Sequence, residues 1–258
     1  MSALMLQPAV LSDVGLRGNN EDAVFASSRL LAVADGVGGA AAGEQASHLA
    51  ILKMVALDNR RLVRPLETEF ADAVADANNL ISFATLYEPA HTGMATTLTA
   101  VAMANDGRYL IANVGDSRTY LFRDRELIQL TRDDSLVQEL IDQGALSEGD
   151  AREHPQRSVV LRVLDGGDQR PVVLRAVDAK VGDRLLLCSD GVTDYLTDAQ
   201  VADFLFLEDA TEAVGRLVTA ALERGSRDNV TAVIADVVAR EDPEDGWLDA
   251  LPDPSASA

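Results

Sequence analysis

The chain has one cysteine, three histidines and two lysines among 258 residues. The single cysteine, Cys188, cannot form an internal disulfide. With only His48, His91 and His154 beside it, a zinc site of the usual His/Cys kind has no ligands to draw on. Any metal must be held mainly by oxygen. Positive charge is also scarce: 22 Lys and Arg stand against 42 Asp and Glu, a formal net charge of −20. Such a chain repels nucleic acid and anionic membranes, so neither is an expected partner. No apolar run reaches the roughly 18 residues of a membrane span. Residues 1–8 lack the basic region and apolar stretch of a signal peptide. The expectation is a soluble, cytoplasmic monomer. Apolar residues are plentiful, at 47%, enough for one large core or two small ones.

Aspartate carries the strongest signal. Asp35 lies in Ala34-Asp35-Gly36, Asp116 in Gly115-Asp116-Ser117, Asp190 and Asp194 in Ser189-Asp190-Gly191-Val192-Thr193-Asp194, and Asp228 in Arg227-Asp228-Asn229. Asp35, Asp116, Asp190 and Asp228 each adjoin a strongly apolar, strand-like run, so a fold can gather them at one sheet edge. Carboxylate oxygens suit Mg²⁺, Mn²⁺ or Ca²⁺, and several together imply more than one ion. A two-metal hydrolase is the expected chemistry. Arg17, in Leu16-Arg17-Gly18, stands near this acid and has the geometry to grip phosphate oxygens. Gly36, with no side chain in the way, can bring its carbonyl close to an ion. Asp106-Gly107 is the contrasting case, an ordinary hairpin turn.

Patterning predicts strands at 10–14, 22–26 and 30–34, a helix over 43–59, and a second helix from Pro65. Residues 96–130 alternate between tight turns and are expected to form a β-meander. Residues 133–165 are mixed and polar and are expected to be a flap over the sheet. Strands at 172–177 and 184–188, helices near 198–206 and 209–223, and a strand at 230–238 follow. The acidic stretch 241–258 is expected to be disordered, although Trp247, Leu248 and Leu251 offer it a docking face. Two blocks of strands, each with a helix pair, predict two antiparallel sheets packed face to face with helices outside.

Six segments in this order resemble the metal-dependent serine/threonine protein phosphatases, the PPM or type 2C family, of bacterial type. They are 17–22, 33–47, 93–98, 113–118, 187–194 and 226–233, and the likeness runs from about residue 10 to 238. The resemblance implies an α+β fold, a four-layer α/β/β/α sandwich with a flap, over residues 1–240. It implies two Mn²⁺ or Mg²⁺ ions, with a third. Asp35 would bridge the pair, with the Gly36 carbonyl, Asp190 and Asp228 completing it. Asp116 and Asp194 would hold the third ion, Asp22 would hold metal-bound waters, and Arg17 the substrate phosphate. A hydroxide shared by the metals would attack phosphoserine or phosphothreonine in proteins, with no phosphoenzyme. Partners would be phosphorylated proteins, a serine/threonine kinase among them, in signal transduction.

Some positions depart from that pattern. Val37 stands where many relatives have a histidine that serves the leaving alcohol, and His154 in the flap is a weak alternative donor. Ala95 replaces a frequent glycine, and 131–135 reads Thr-Arg-Asp-Asp-Ser. No expected metal ligand is missing. Two other classes remain open: a silent relative that binds a phosphoprotein, and a passive acidic cation-binding protein. Retention of Arg17, Asp35, Asp190 and Asp228 opposes the first. Phosphate release from an aryl phosphate would exclude the second.

Overall fold

The computed structural model describes residues 4–38, 40–59, 61–88, 92–168 and 171–240. His91 and the acidic stretch with Trp247, Leu248 and Leu251 lie outside them. The first strand, β1 (Leu4–Asp13), starts well before the expected 10–14. It pairs antiparallel along its whole length with β11 (Val230–Ala239), Leu4 opposite Ala239 and Asp13 opposite Val230. A partner so distant in sequence leaves no local trace, which is why patterning caught only the end of β1.

One sheet runs β1, β11, β10 (Arg184–Cys188), β7 (Arg118–Arg123), β8 (Glu126–Gln129). The other runs β2 (Asp22–Ala26), β3 (Leu30–Val37), β5 (Leu98–Met103), β6 (Arg108–Val114), β9 (Arg175–Asp178). A two-residue strand, β4 (Ala95–Thr96), extends the pairing of β3. All pairings are antiparallel. The expected meander over 96–130 is corrected here. β5 and β6 belong to one sheet, β7 and β8 to the other, and the chain crosses between them at Gly115, whose φ of +102° no ordinary side chain adopts readily. The strand expected at 172–177 begins only at Arg175, because Val172 and Leu174 pack on the helical side of the core instead.

Helices α1 (Ala40–Asn59) and α2 (Leu66–Tyr87) cover the outer face of the β2–β9 sheet through Ala46, Met54, Phe70, Val74 and Ile81. The first begins three residues before the expected Gly43. The carbonyl of Pro65 accepts the Thr68 and Glu69 N–H groups and opens the second. On the other sheet lie α6 (Asp198–Leu205) and α7 (Ala210–Glu223). In α7, Ala213, Val214, Leu217, Val218 and Ala221 recur at three and four residues and form one buried stripe. Thr197 with Gln200, and Asp209, cap the two helices. The four layers are therefore helix pair, sheet, sheet, helix pair. Among the described residues no helix is long and apolar enough to cross a membrane.

Between the sheets the inner-face residues change character along each strand. Strand β5 reads Thr99, Val101, Met103; β7 reads Thr119, Leu121; β10 leads through Leu185 and Leu187 to Ser189; β11 reads Thr231, Val233, Ala235, Val237. The apolar members form the inter-sheet core. The hydroxyl members, all buried, lie at one shared end. There Cys188 stands opposite both Arg118 and Ala232, and Asp22 opposite Asp35. The segment 133–165 carries α3 (Leu136–Asp142) and α4 (Glu148–Ala151), N-capped by Ser135 and Ser147. It joins the body at the same end, through a bridge between Leu164 and Thr96.

Candidate metal centre

The hydroxyl end is also where the aspartates gather. Asp22 opens β2 and faces Asp35 near the end of β3. Asp190 begins a single helical turn, α5 (Asp190–Thr193), directly after β10, and Asp194 caps it. That turn lets Asp190 and Asp194 flank one pocket. Asp228 precedes β11, and Asp116 sits in the corner between β6 and β7. The carboxylates feel one another strongly. Burial, then repulsion from Asp22, Asp190, Asp116 and Asp228, pushes the Asp35 carboxyl well above the usual range. Burial, then Asp116, Asp194, Asp228 and Asp22, does the same to Asp190. Asp22 is pushed up to about 6, by burial against hydrogen bonds that lower it. Asp116 reaches about 6, by burial and repulsion from Asp133. Burial also raises Asp194, against the pull of Arg157, Arg118 and Arg152.

The loops that bring them together are pinned by backbone contacts. Asn229 accepts the Glu21 N–H at 2.8 Å and donates to the Val14 and Asn19 carbonyls, tying the 14–21 loop to Asp228. A Cβ on Gly191 would lie 2.0 Å from the Asn229 carbonyl oxygen, so only glycine allows the Asp190 turn so close to the Asp228 loop. A Cβ on Gly36 would lie 2.2 Å from the Gly43 oxygen, which lets the metal-side backbone pack against α1. Ser189 Oγ donates to Asp22 Oδ2 at 2.9 Å, while Asp22 Oδ1 is buried without a partner. Arg17 Nη2 donates to Asp228 Oδ2 at 2.7 Å, and both side chains remain open to solvent, at 51% and 37%.

The donor set suits hard divalent cations. Carboxylates so crowded cannot all ionise without positive charge among them; Arg17 pairs with Asp228 and Arg157 lies 3.7 Å from Asp194, both at the rim, which leaves Asp35 and Asp190 without a cationic partner of their own among the described ion pairs. Among the described residues no three His, Cys, Asp or Glu side chains close on one point as a ready cage. Mg²⁺-like ions keep several waters and take one or two carboxylates each. The orphaned Asp22 Oδ1 is the kind of acceptor such a water would satisfy. A cavity of about 600 Å³ runs from Asp116, Asp190 and Asp194 to Ser135, Arg152 and Arg157 under the flap.

Patterning missed three participants. Glu21 is raised by burial against the pull of Arg17, and it lies beside Asp228 and Glu44. Its only sequence signal is adjacency to Asp22. Asn229 ties two loops, and Thr97 contacts the Asp35 backbone. His154 does not join the site: it is half-buried on the flap and its Nδ1 accepts the Gln156 N–H. Val37 is half-exposed, with no titratable side chain to offer.

Comparison with known proteins identifies the family. Residues 18–226 match the protein phosphatase 2C family profile. The serine/threonine protein phosphatase PstP of Mycobacterium tuberculosis is 45% identical over 236 residues, which is 91% of this chain. The chain spans only 46% of that relative's length, about half. The serine/threonine phosphatase stp of Listeria monocytogenes is 35% identical over 231 residues, covering 86% of this chain and 91% of that protein. The crystal structure of the PstP catalytic domain in complex with two manganese ions superposes with a TM-score of 0.85 at 43% identity, covering 91% of this chain and 99% of that one.

Proposed function

The chain belongs to the protein phosphatase 2C family, and from that premise we propose that it removes phosphate from phosphoserine and phosphothreonine in proteins, opposing a serine/threonine kinase. The observation that carries this reading is the group of mutually repelling aspartates around Asp35, with Arg17 at its rim. Asp35, the Gly36 carbonyl, Asp190 and Asp228 would hold two Mn²⁺ or Mg²⁺ ions. Asp116 and Asp194 would hold a third, and Asp22 Oδ1 would accept from a coordinated water. Bound there, the cations would supply an acidified water and offset charge on the phosphoryl oxygens. The domain would extend to residue 240 and work as a cytoplasmic monomer.

The chain's own groups do the rest. Arg17 has five N–H donors, and its hydrogen bond to Asp228 uses one. The others suit a phosphoryl group, in the ground state and as charge develops. The peptide on either side of the phosphorylated residue fits the cavity under the flap. Cys188 is no nucleophile: it is fully buried, and burial pushes its thiol up to about 12. The test is phosphate release from a phosphothreonine peptide after chelation, with and without added Mn²⁺. Release only with the metal is expected. Full release from the metal-stripped protein would end the reading.

A further inference from the structure

Strand β3 keeps one register on both sides of Thr97: Val33 stands opposite Thr99 of β5, and Gly36 opposite Thr96 of β4. Asp35 therefore faces Thr97. In a regular antiparallel pair at a hydrogen-bonded position, each residue would donate its N–H to the other's carbonyl. Here only half of that exchange is made by backbone. Thr97 N–H donates to the Asp35 carbonyl at 2.9 Å. The Asp35 N–H instead donates to the Thr97 side-chain hydroxyl, Oγ1, at 3.0 Å. The carbonyl left over, that of Thr97, lies 2.9 Å from Thr96 Oγ1, whose one hydrogen is shared between it and the Asp35 carbonyl, also at 2.9 Å.

The same hydroxyl reaches across to the other sheet. Thr97 Oγ1 and Ser117 Oγ are 2.8 Å apart, and Ser117 follows Asp116. The corner itself presses on Thr97: a Cβ on Gly115 would lie 2.6 Å from Thr97 Cγ2 and 2.7 Å from its Cβ. Thr97 and Ser117 are both fully buried, so no water stands in for a lost partner.

We propose that Thr97 is a positioning residue that sets the separation of the Asp35 and Asp116 carboxylates, through one hydroxyl shared between the Asp35 backbone and Ser117. The proposal rests on the metal-dependent reading of the site. A hydroxyl is required: it alone accepts from one N–H while pairing with a second hydroxyl. Valine matches threonine in shape but offers neither. The molecule contains its own control. Thr99 and Thr119 form a second buried hydroxyl pair between the sheets, at 2.7 Å, and Thr99 stands opposite Val33, not opposite an aspartate.

The experiment is calorimetric titration of Mn²⁺ into metal-stripped wild type, Thr97→Val, Thr97→Ser and Thr99→Val, alongside thermal melts. Both valine variants should melt a few degrees lower, about 2–8 °C, since each removes a buried hydroxyl pair. Only Thr97→Val should weaken Mn²⁺ binding, by about 10- to 100-fold, the range found when groups supporting metal ligands are removed. Thr97→Ser should restore binding to within a few fold. Ser117→Ala, which leaves Asp35 untouched, should weaken it to an intermediate degree and serves if Thr97→Val does not fold. Wild-type affinity in Thr97→Val, or in Ser117→Ala where that variant stands in, would overturn the proposal. So would an equal loss in Thr99→Val, since that would make both hydroxyl pairs merely structural. Wild type that binds no Mn²⁺ would overturn the metal reading itself, and the proposal with it.

Discussion

The layer between the two sheets has an apolar length and a hydroxyl end. Along most of it Leu31, Val33, Val101, Ile111, Leu185, Leu187 and Val233 interlock. Toward the aspartates Thr97 meets Ser117, Thr99 meets Thr119, Ser12 meets Thr231 and Ser189 meets Asp22. Apolar packing is strong but hardly directional: each buried aliphatic side chain contributes about 1.5–3 kcal/mol, and shape is its main demand. A hydroxyl pair contributes only about 0.5–1.5 kcal/mol net, but it fixes distance and angle. The same strands thus supply stability along one part of their length and placement along another.

The largest expected effect lies at the hydroxyl end. Asp35→Asn or Asp190→Asn should lower phosphopeptide turnover by at least about a thousandfold, the equivalent of several kcal/mol of lost electrostatic stabilisation. Both should stay folded, because each removes a charge from a crowd of like charges. Steady-state assays paired with circular dichroism check this, and near-normal rates in either variant would break the contrast between the two regions. At the apolar length, Leu187→Ala should do the reverse. It should cost about 2–5 kcal/mol of unfolding free energy, read by urea denaturation, and leave kcat/KM within a few fold below the melting range.

Arg17→Ala comes next. A charge-assisted contact to phosphate is worth about 1.5–3 kcal/mol, so kcat/KM should fall about ten- to a hundredfold, with KM raised. Unchanged kinetics would leave Arg17 as a surface charge held only by Asp228.

The hydroxyl end should also set the pH response of the metal-stripped protein. Asp22 and Asp116 are raised to about 6, and Asp35 and Asp190 lie well above the usual carboxylate range. Raised carboxyls bind protons more tightly folded than unfolded. Their contribution is complete below the unfolded value near 4 and is lost as pH rises through about 6 and above. Melting in a chelator should therefore fall over that window, and Mn²⁺ should flatten the curve. A melt that rises with pH in chelator would reverse the sign and refute the electrostatic picture. The smallest effect is at the edge of the site: Asp116→Ala should keep two bound ions, lose the weakest, and slow phosphopeptide turnover. Calorimetric stoichiometry at saturating Mn²⁺ decides it, and equal stoichiometry in variant and wild type would remove the third subsite.

Much of this was legible in the chain. Apolar runs just before or just after an aspartate placed Asp35, Asp190 and Asp228 at strand ends, and helical spacing located α1, α2 and α7 within a few residues. What was hidden depends on pairing at a distance. The change of sheet at Gly115 resembles any turn until the partners of β6 and β7 are known. Glu21 reads as a surface acid until Asn229 folds its loop back. Thr97 looks like one of many strand threonines, and only the missing backbone bond to Asp35 marks it out.

The pairing of β1 with β11 has a consequence in time. The two strands are over two hundred residues apart, which at typical rates of synthesis is a wait of on the order of ten seconds or more. The sheet of β2, β3, β5, β6 and β9, with α1 and α2, draws on earlier parts of the chain and can assemble first. Asp228 arrives only with the approach to β11, so a half-made chain holds Asp35 but not the partner that completes its site. Over that interval β1 must avoid pairing with strands of other nascent chains. Moving β1 to follow β11 by circular permutation would shorten that wait, and faster folding with less aggregation in a translation extract would be the sign of it.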